Sequence, residues 1–187
     1  MNRKKAWILI GLYTLITIAD CGITRYATPN LRLEANPLVA LLGYGWPALI
    51  LANVISLIIY SVLVYYSFGV YKTPVIRAAN EQELKNQLKK EGKGHIFAMF
   101  GYSFGYSMIF ARLLVVFNWL IRIFDLNGHI LKKYKSFRYL IPNGRVDLLL
   151  VAVLTAVFCV IWMIKEEKRK KANAVIIPPE KPEEATL

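Results

Sequence analysis

Two ionisable residues lie inside long apolar stretches of this sequence, and a third follows one of them closely. Asp20 falls near the end of the first stretch, Arg112 lies within the third, and Glu34 comes shortly after the first. Placing an ionised side chain within a bilayer costs about 2.5 kcal/mol or more on insertion scales. Residues of this kind therefore indicate an ion pair, a bound ion or ligand, or acid–base chemistry.

An acidic partner for Arg112 is expected in the outer half of the membrane. Arg112 is predicted near mid-membrane, so Asp20, about one turn below the outer surface, is the most economical partner and Glu34 is the second. We therefore predict a polar cluster that opens toward the outer face. Its predicted members are Asp20, Thr24, Glu34, Asn36, Asn53, Arg112 and Asn118.

The predicted cluster has two interpretations, and the sequence leaves both open. It is either a ligand-binding site or a buried ion pair with hydrogen bonds that orients helices and binds nothing. Single members also have simpler explanations. Asn36 fits the N-cap of a helix that starts at Pro37, and the hydroxyl of Thr24 can bond to its own backbone.

Four apolar stretches are each long enough to cross a membrane. The chain is 56% hydrophobic, and about 20 apolar residues in a helix span a hydrocarbon core of ~30 Å. Backbone groups in lipid must be satisfied within their own segment, so each stretch is predicted to be helical. The predicted fold is all-α, a polytopic membrane domain over residues 1–171 with four transmembrane helices. The predicted spans are 6–24, 47–68, 97–119 and 147–164.

The distribution of Lys and Arg predicts how the chain is oriented. With the amino end inside, the inner segments carry fifteen basic residues and the outer segments carry eight. Cytoplasmic loops are enriched in Lys and Arg, so both termini are predicted in the cytoplasm. The expected location is the plasma (cytoplasmic) membrane, which is the cell inner membrane of a prokaryote.

Three segments outside the spans have their own predicted structures. Residues 76–91 combine helix formers with mixed charge and predict a solvated cytoplasmic helix. Residues 129–140 place apolar and basic side chains on different faces, which fits either an interfacial helix or a solvated loop. Residues 172–187 are rich in proline and acids and predict a disordered cytoplasmic tail.

The third span also carries small residues at helical spacing. Gly101 and Gly105 are four residues apart, as are Ser103 and Ser107. Small residues at this spacing allow helices to approach closely. The contact they predict lies either within the bundle or between subunits, so a homo-oligomer or another membrane partner stays open.

Net charge and the positions of Lys, Arg, Cys and His indicate which classes of partner and cofactor are expected. The formal net charge is +12, but the basic residues border apolar stretches, which predicts contact with anionic lipids rather than nucleic acid. Cys21 and Cys159 form no disulfide or zinc pattern. His95 and His129 are predicted on opposite sides of the membrane, so no metal site and no cofactor are predicted.

Part of the sequence resembles a known pattern. Asp20 late in the first span, Thr24 shortly after it, and Glu-Ala-Asn-Pro at 34–37 resemble a family of small, uncharacterised prokaryotic membrane proteins. The resemblance covers about residues 10–65. This chain has Ile23 where those proteins favour a second threonine, and Asn53 where they favour a basic residue. The resemblance implies a membrane domain whose function is unassigned.

Taken together, these patterns favour a membrane protein with an outward-facing polar pocket for a small ligand, an ion or a lipid headgroup. The inner halves of the spans hold few polar residues, which favours a pocket over a conducting path. An alternative is a structural or assembly subunit of a membrane complex. A third hypothesis, an intramembrane lipid-acting enzyme, would use Asp20 and Glu34 as acid and base. The sequence contains no HExxH motif, which leaves metalloprotease chemistry without support.

Overall fold

The computed structural model describes residues 3–31, 45–88, 94–124, 128, 132 and 146–177. These residues form five α-helices, one π-helical turn and two three-residue strands. In chain order they are α1 (Arg3–Ala27), α2 (Trp46–Tyr65), the π-helical turn (Tyr66–Val70), β1 (Ile76–Ala78), α3 (Glu81–Leu88), α4 (His95–Phe124), α5 (Val146–Ala172) and β2 (Ala174–Ile176).

Four of the helical segments are long and apolar enough to cross a membrane. They are Arg3–Ala27, Trp46–Val70, His95–Phe124 and Leu149–Ala172. All four predicted spans fall within them or overlap them closely, and each helix extends a few residues beyond its predicted apolar stretch. The prediction of an all-α bundle of four transmembrane helices is confirmed, and the chain is a multi-pass membrane protein.

Helix α4 is the central element of the bundle, because it packs against α1, α2 and α5. Its two glycines face α2. A β-carbon added to Gly101 would collide with the carbonyl oxygen of Leu63, and one added to Gly105 would lie 2.8 Å from the side chain of Val64. These glycines therefore permit close helix contact within the bundle, which is one of the two contacts that the sequence left open.

The two serines that alternate with those glycines, Ser103 and Ser107, are buried on α4. The hydroxyl of Ser103 donates to the carbonyl of Met99, and that of Ser107 donates to the carbonyl of Ser103, both at 2.8 Å. Each bond satisfies a hydroxyl within its own helix. Ser103 and Ser107 thus fit into tight space at the centre of the bundle, and their hydroxyls need no hydrogen-bond acceptor on another helix.

Two stacked tyrosines join three helices at mid-bundle. The rings of Tyr13 and Tyr60 lie 4.0 Å apart, nearly parallel. The Tyr60 hydroxyl lies 3.1 Å from the carbonyl oxygen of Gly105 and 3.4 Å from that of Leu9. Because the residues come from α1, α2 and α4, this layer fixes the three helices relative to one another.

The two ends of the bundle differ in chemistry. We name the end that carries Lys5 and Lys165 the basic end, and the end that carries Ala27 and Trp46 the opposite end. At the basic end, the carboxylate of Glu166 on α5 is only 1% exposed. It accepts hydrogen bonds from the hydroxyls of Tyr71 at 2.8 Å and Thr73 at 3.0 Å, which secures the chain that leaves α2.

The helix predicted over 76–91 differs from the structure. Residues Ile76–Ala78 form β1, and α3 begins only at Glu81. The side chain of Asn80 accepts from the backbone N–H of Glu83 at 2.9 Å, while the Glu83 carboxylate accepts from the N–H of Ala79 at 2.8 Å. These reciprocal caps start the helix at this point, and residues 89–91 lie outside the described residues.

The first part of the predicted disordered tail is ordered. Helix α5 runs to Ala172, and β2 (Ala174–Ile176) pairs in parallel with β1. Ile76 and Ala78 are buried in this contact, and the N–H of Ile177 extends it to the carbonyl of Ala78 at 2.9 Å. Apolar, β-branched residues here favour an extended strand once a partner strand is present. The rest of the tail, 178–187, and the predicted interfacial helix at 129–140, apart from Lys132, lie outside the described residues.

Candidate functional site

The polar site is built on the buried face of α1. The buried positions of this helix recur every three to four residues, which places them on one stripe toward α2 and α4. They are Ala6, Leu9, Tyr13, Ile16, Thr17, Asp20 and Thr24. Asp20 and Thr24 are thus directed into the bundle, because they continue the same stripe as the apolar core.

Arg112 on α4 joins this stripe to α2. Its guanidinium donates to the Asp20 carboxylate at 2.8 Å and to the side-chain oxygen of Asn53 at 2.6 Å. Its Nε lies 3.4 Å from the hydroxyl of Tyr13, with the guanidinium carbon 5.6 Å from the centre of that ring. The predicted pairing of Asp20 with Arg112 is therefore present in the structure.

Asn53 connects the ion pair to a cysteine. Its amide oxygen accepts from Arg112, and its amide nitrogen donates to the sulfur of Cys21 at 3.3 Å. The orientation of this amide is consequently fixed at both of its ends. We name the four residues that these bonds connect, Asp20, Cys21, Asn53 and Arg112, the polar cluster.

The polar cluster lies nearer the opposite end of the bundle than the basic end. Asp20 is seven residues before the end of α1 and Asn53 is seven residues after the start of α2, or about 10 Å along either helix. The side chains of Arg112 and Asp20 are 13% and 10% exposed. The ion pair is thus largely enclosed by protein.

Of the other four predicted members of the site, two lie among the described residues and two do not. Thr24 is buried one turn beyond Asp20 on the same stripe, and Asn118 lies half-buried on α4 almost two turns beyond Arg112, toward the opposite end. Glu34 and Asn36 lie outside the described residues. The contacts therefore bring together Asp20, Asn53 and Arg112, with Thr24 one turn away.

Sequence reasoning missed Tyr13, Cys21 and Tyr60. A signal for the two tyrosines was available, because residues seven apart share a helix face. Tyr13 precedes Asp20 by seven residues, and Tyr60 follows Asn53 by seven. Cys21 carried no comparable signal, since its role depends on where α2 crosses α1.

The site is closed toward the basic end by packed side chains. Next to the polar cluster lies the Tyr13–Tyr60 stack, and beyond it lie buried apolar residues of the same core, among them Leu9 and Val64. Within the described part of the chain, no group of three or more His, Cys, Asp and Glu side chains is placed to hold a metal ion.

We compared the chain with protein family models, with curated proteins and with solved structures. None of the three comparisons found a match. The side chains of the site are therefore what indicates its chemistry.

The donor groups of Arg112 define what the site can bind. A guanidinium has five N–H groups in one plane. The contacts among the described residues engage three of them, through Tyr13, Asp20 and Asn53. The remaining two donors belong to the outer nitrogens, where a carboxylate or phosphate can accept them.

Proposed function

We propose that this protein binds a small anionic group in a polar site that opens to the outer face of the plasma membrane. The group is a carboxylate or phosphate, carried by a small ligand or by a lipid headgroup. The observation that carries the proposal is Arg112: an intramembrane arginine held by Asp20 and Asn53, with two N–H donors not engaged among the described residues.

The outward direction rests on topology and packing together. The positive-inside rule favours the basic end in the cytoplasm, with both termini on that side. The polar cluster would then lie in the outer half of the bilayer. Tyr13 and Tyr60 close the bundle beneath it, so the arrangement favours binding over conduction.

Asp20 contributes by keeping the guanidinium in place rather than by meeting the anion. A carboxylate 2.8 Å from one outer nitrogen compensates much of the charge of Arg112, and Asn53 fixes the other outer nitrogen. Such preorganisation lowers the cost of binding, because the arginine is ordered before the ligand arrives. Because Asp20 already compensates the charge of the arginine, we expect the anion to bind reversibly and with moderate affinity.

A second candidate function is an assembly subunit. The observation in its favour is that Asp20 and Arg112 satisfy one another inside the chain, as an ion pair that only orients helices would. The lipid-acting enzyme is less favoured, because Asp20 is already committed to Arg112 and Glu34 lies outside the described residues.

The test is native mass spectrometry of the gently solubilised, full-length protein. The double variant Asp20→Asn with Arg112→Gln removes the ion pair without changing net charge. The control is Arg122→Gln, which removes one cation from the same helix, where it lies over the ring of Trp119 at 5.4 Å. We expect an additional mass on the wild type and on R122Q that is absent from the double variant.

Two results would contradict the proposal. An additional mass that persists in the double variant would place the ligand elsewhere. A bare wild-type protein that is stably oligomeric, or that carries another polypeptide, would support the assembly function instead.

A further inference from the structure

A second group of cations lies at the basic end, outside the polar cluster. It consists of Lys5 on α1 and Lys165 on α5, both packed on aromatic rings of the bundle. The rings belong to Phe68, Tyr102 and Tyr106. We name these five residues the lysine–aromatic cluster. The polar cluster and its proposed ligand make no use of it.

Lys5 is held between two rings from different elements. Its ammonium nitrogen lies 5.5 Å from the ring centre of Phe68 and 5.5 Å from that of Tyr106. An ammonium ion near an aromatic face is attracted by the ring quadrupole. The Lys5 side chain is therefore directed along the bundle surface rather than extended freely into water.

Lys165 contacts the ring of Tyr102, which lies on α4 one turn before Tyr106. Its ammonium nitrogen donates to the hydroxyl oxygen of Tyr102 at 2.9 Å and lies 5.4 Å from the centre of that ring. Tyr102 and Tyr106 are themselves in edge contact at 5.0 Å. The ammonium groups of Lys5 on α1 and Lys165 on α5 thus lie against two neighbouring rings of α4.

This arrangement presents donors suited to a phosphate. The two ammonium groups carry the charge, and Tyr102, whose oxygen already accepts from Lys165, retains its own O–H to donate to an anion. An anion within reach of both ammonium groups would interact favourably with two positive charges.

The surroundings identify the source of the phosphate as a lipid. Trp7, two residues from Lys5, is 62% exposed, and exposed tryptophans favour the membrane–water interface. Ile8 on α1 and Ile164 on α5 are also exposed, which provides apolar surface for acyl chains on both helices that carry the lysines. Further basic residues at the same end, Lys4 and Lys168, strengthen attraction to an anionic leaflet.

We infer that the lysine–aromatic cluster binds the phosphate headgroup of an anionic phospholipid in the leaflet at the basic end. Lys5 and Lys165 contact the phosphate oxygens, the Tyr102 hydroxyl donates a hydrogen bond to the phosphate, and the rings of Phe68 and Tyr106 hold Lys5 in position. The acyl chains lie along the exposed faces of α1 and α5.

The test counts lipids on the full-length protein in nanodiscs or mixed micelles by native mass spectrometry, with phosphatidylglycerol compared with phosphatidylcholine. The variant is Lys5→Gln with Lys165→Gln. The matched control is Lys4→Gln with Lys168→Gln, which removes the same charge from exposed positions on the same two helices. We expect K5Q/K165Q to lose at least tenfold in affinity for phosphatidylglycerol, and the control to lose less than threefold.

Equal losses in the two double variants would overturn the inference, because surface charge alone would then explain the binding. Displacement of the lipid by millimolar inorganic phosphate would overturn the lipid assignment and indicate a site for a soluble anion. Asp20 and Arg112 are unchanged in these variants, so this outcome is independent of the proposed outer site.

A second variant covers the case in which K5Q/K165Q does not fold. Tyr102→Phe removes one hydroxyl and no charge. We expect it to weaken retention of phosphatidylglycerol several-fold while the protein still elutes as a single species in size-exclusion chromatography. Unchanged retention in Y102F would contradict the assigned role of that hydroxyl and, with it, the site.

Discussion

At the scale of single residues, the polar cluster depends on the contacts that stabilise Arg112 inside the bundle. Each of its neighbours serves a different requirement: Asp20 supplies countercharge, Asn53 accepts a hydrogen bond, and Tyr13 supplies both a hydroxyl and a ring face. No single partner could meet all of these. The arginine is therefore stabilised by α1 and α2 together.

Removing the countercharge alone is expected to destabilise the protein. Asp20→Asn leaves Arg112 without compensation, at a cost of about 3 kcal/mol by analogy with buried ion pairs in soluble proteins. Adding Arg112→Gln should recover much of that loss, because the uncompensated charge is gone. The measurement is unfolding of each variant in mixed detergent micelles. A D20N protein as stable as the wild type would contradict the ion pair.

At the scale of the elements, the sequence predicts helices well and their ends poorly. Long apolar stretches determine that α1, α2, α4 and α5 cross the membrane, because lipid requires internal backbone bonding. The start of α3 depends on the side-chain caps around Asn80, and β2 exists only because β1 is beside it. Local composition over 172–187 could not predict a strand whose partner is almost one hundred residues away.

The same reasoning explains how much of the site was predictable. The pairing of Asp20 with Arg112 follows from the cost of charge in lipid, because few partners were available at that depth. The contact of Asn53 with Cys21 depends on how α1 crosses α2, and a single sequence does not give that angle. The four-residue spacing of Gly101 and Gly105 predicts a close helix contact, and only the structure shows that α2 is the helix in contact.

The close contact of α4 with α2 gives a direct prediction. Gly101→Ala places a β-carbon against the backbone oxygen of Leu63, which cannot move independently of its helix. We expect a loss of about 1–3 kcal/mol in unfolding free energy, as in other overpacked cores.

The matched control is Gly11→Ala on α1. A β-carbon there meets no atom within 4 Å, so no loss is expected. If both substitutions proved equally harmless in the same unfolding measurement, the assigned contact between α4 and α2 would be wrong.

At the basic end, Tyr71→Phe tests the contact between the chain after α2 and helix α5. It removes a hydrogen bond to the Glu166 carboxylate, and the expected loss of stability is about 1–3 kcal/mol. The control is Tyr26→Phe, because Tyr26 is largely exposed. A Y71F protein no less stable than Y26F would contradict the contact.

The pH dependence of this difference has a defined sign. Burial, and then the hydrogen bond to Glu166, raise the pKa of Tyr71 above its ordinary value. The stabilisation is therefore complete below about pH 10, the pKa of an unfolded tyrosine, and is lost as the pH rises through the raised pKa. Wild type and Y71F should differ by a constant amount from about pH 7 to about pH 10, and by less above it.

At the scale of the whole molecule, the bundle separates two kinds of chemistry. The polar cluster lies nearer the opposite end, the lysine–aromatic cluster lies at the basic end, and the packed layer of Tyr13 and Tyr60 lies between them. Such an arrangement suits a protein that meets one ligand on each side.

The proposed orientation has its own test. A reporter fused after Gly92, between the second and third spans, is expected to be active only in its cytoplasmic form, because six basic residues lie in that segment. A reporter fused in the same way after Gly128 is expected on the outer side. Periplasmic activity after Gly92 would reverse the assigned orientation.

The proposed outer site requires that water reach the polar cluster from the outer side of the membrane. Cys21 contacts Asn53 within the cluster, so its thiol can report on access once Cys159 is replaced by Ser. The control carries Ile18→Cys with both native cysteines replaced by Ser, because Ile18, three residues away on α1, is exposed on the surface of the bundle. The measurement is the rate of labelling by a membrane-impermeant thiol reagent, added to each side of the membrane in turn. We expect Cys21 to be labelled from the outer side only, and much faster than the thiol introduced in the control variant. A Cys21 that is unreactive from outside would show that the cluster is a dry ion pair and would contradict the proposed site.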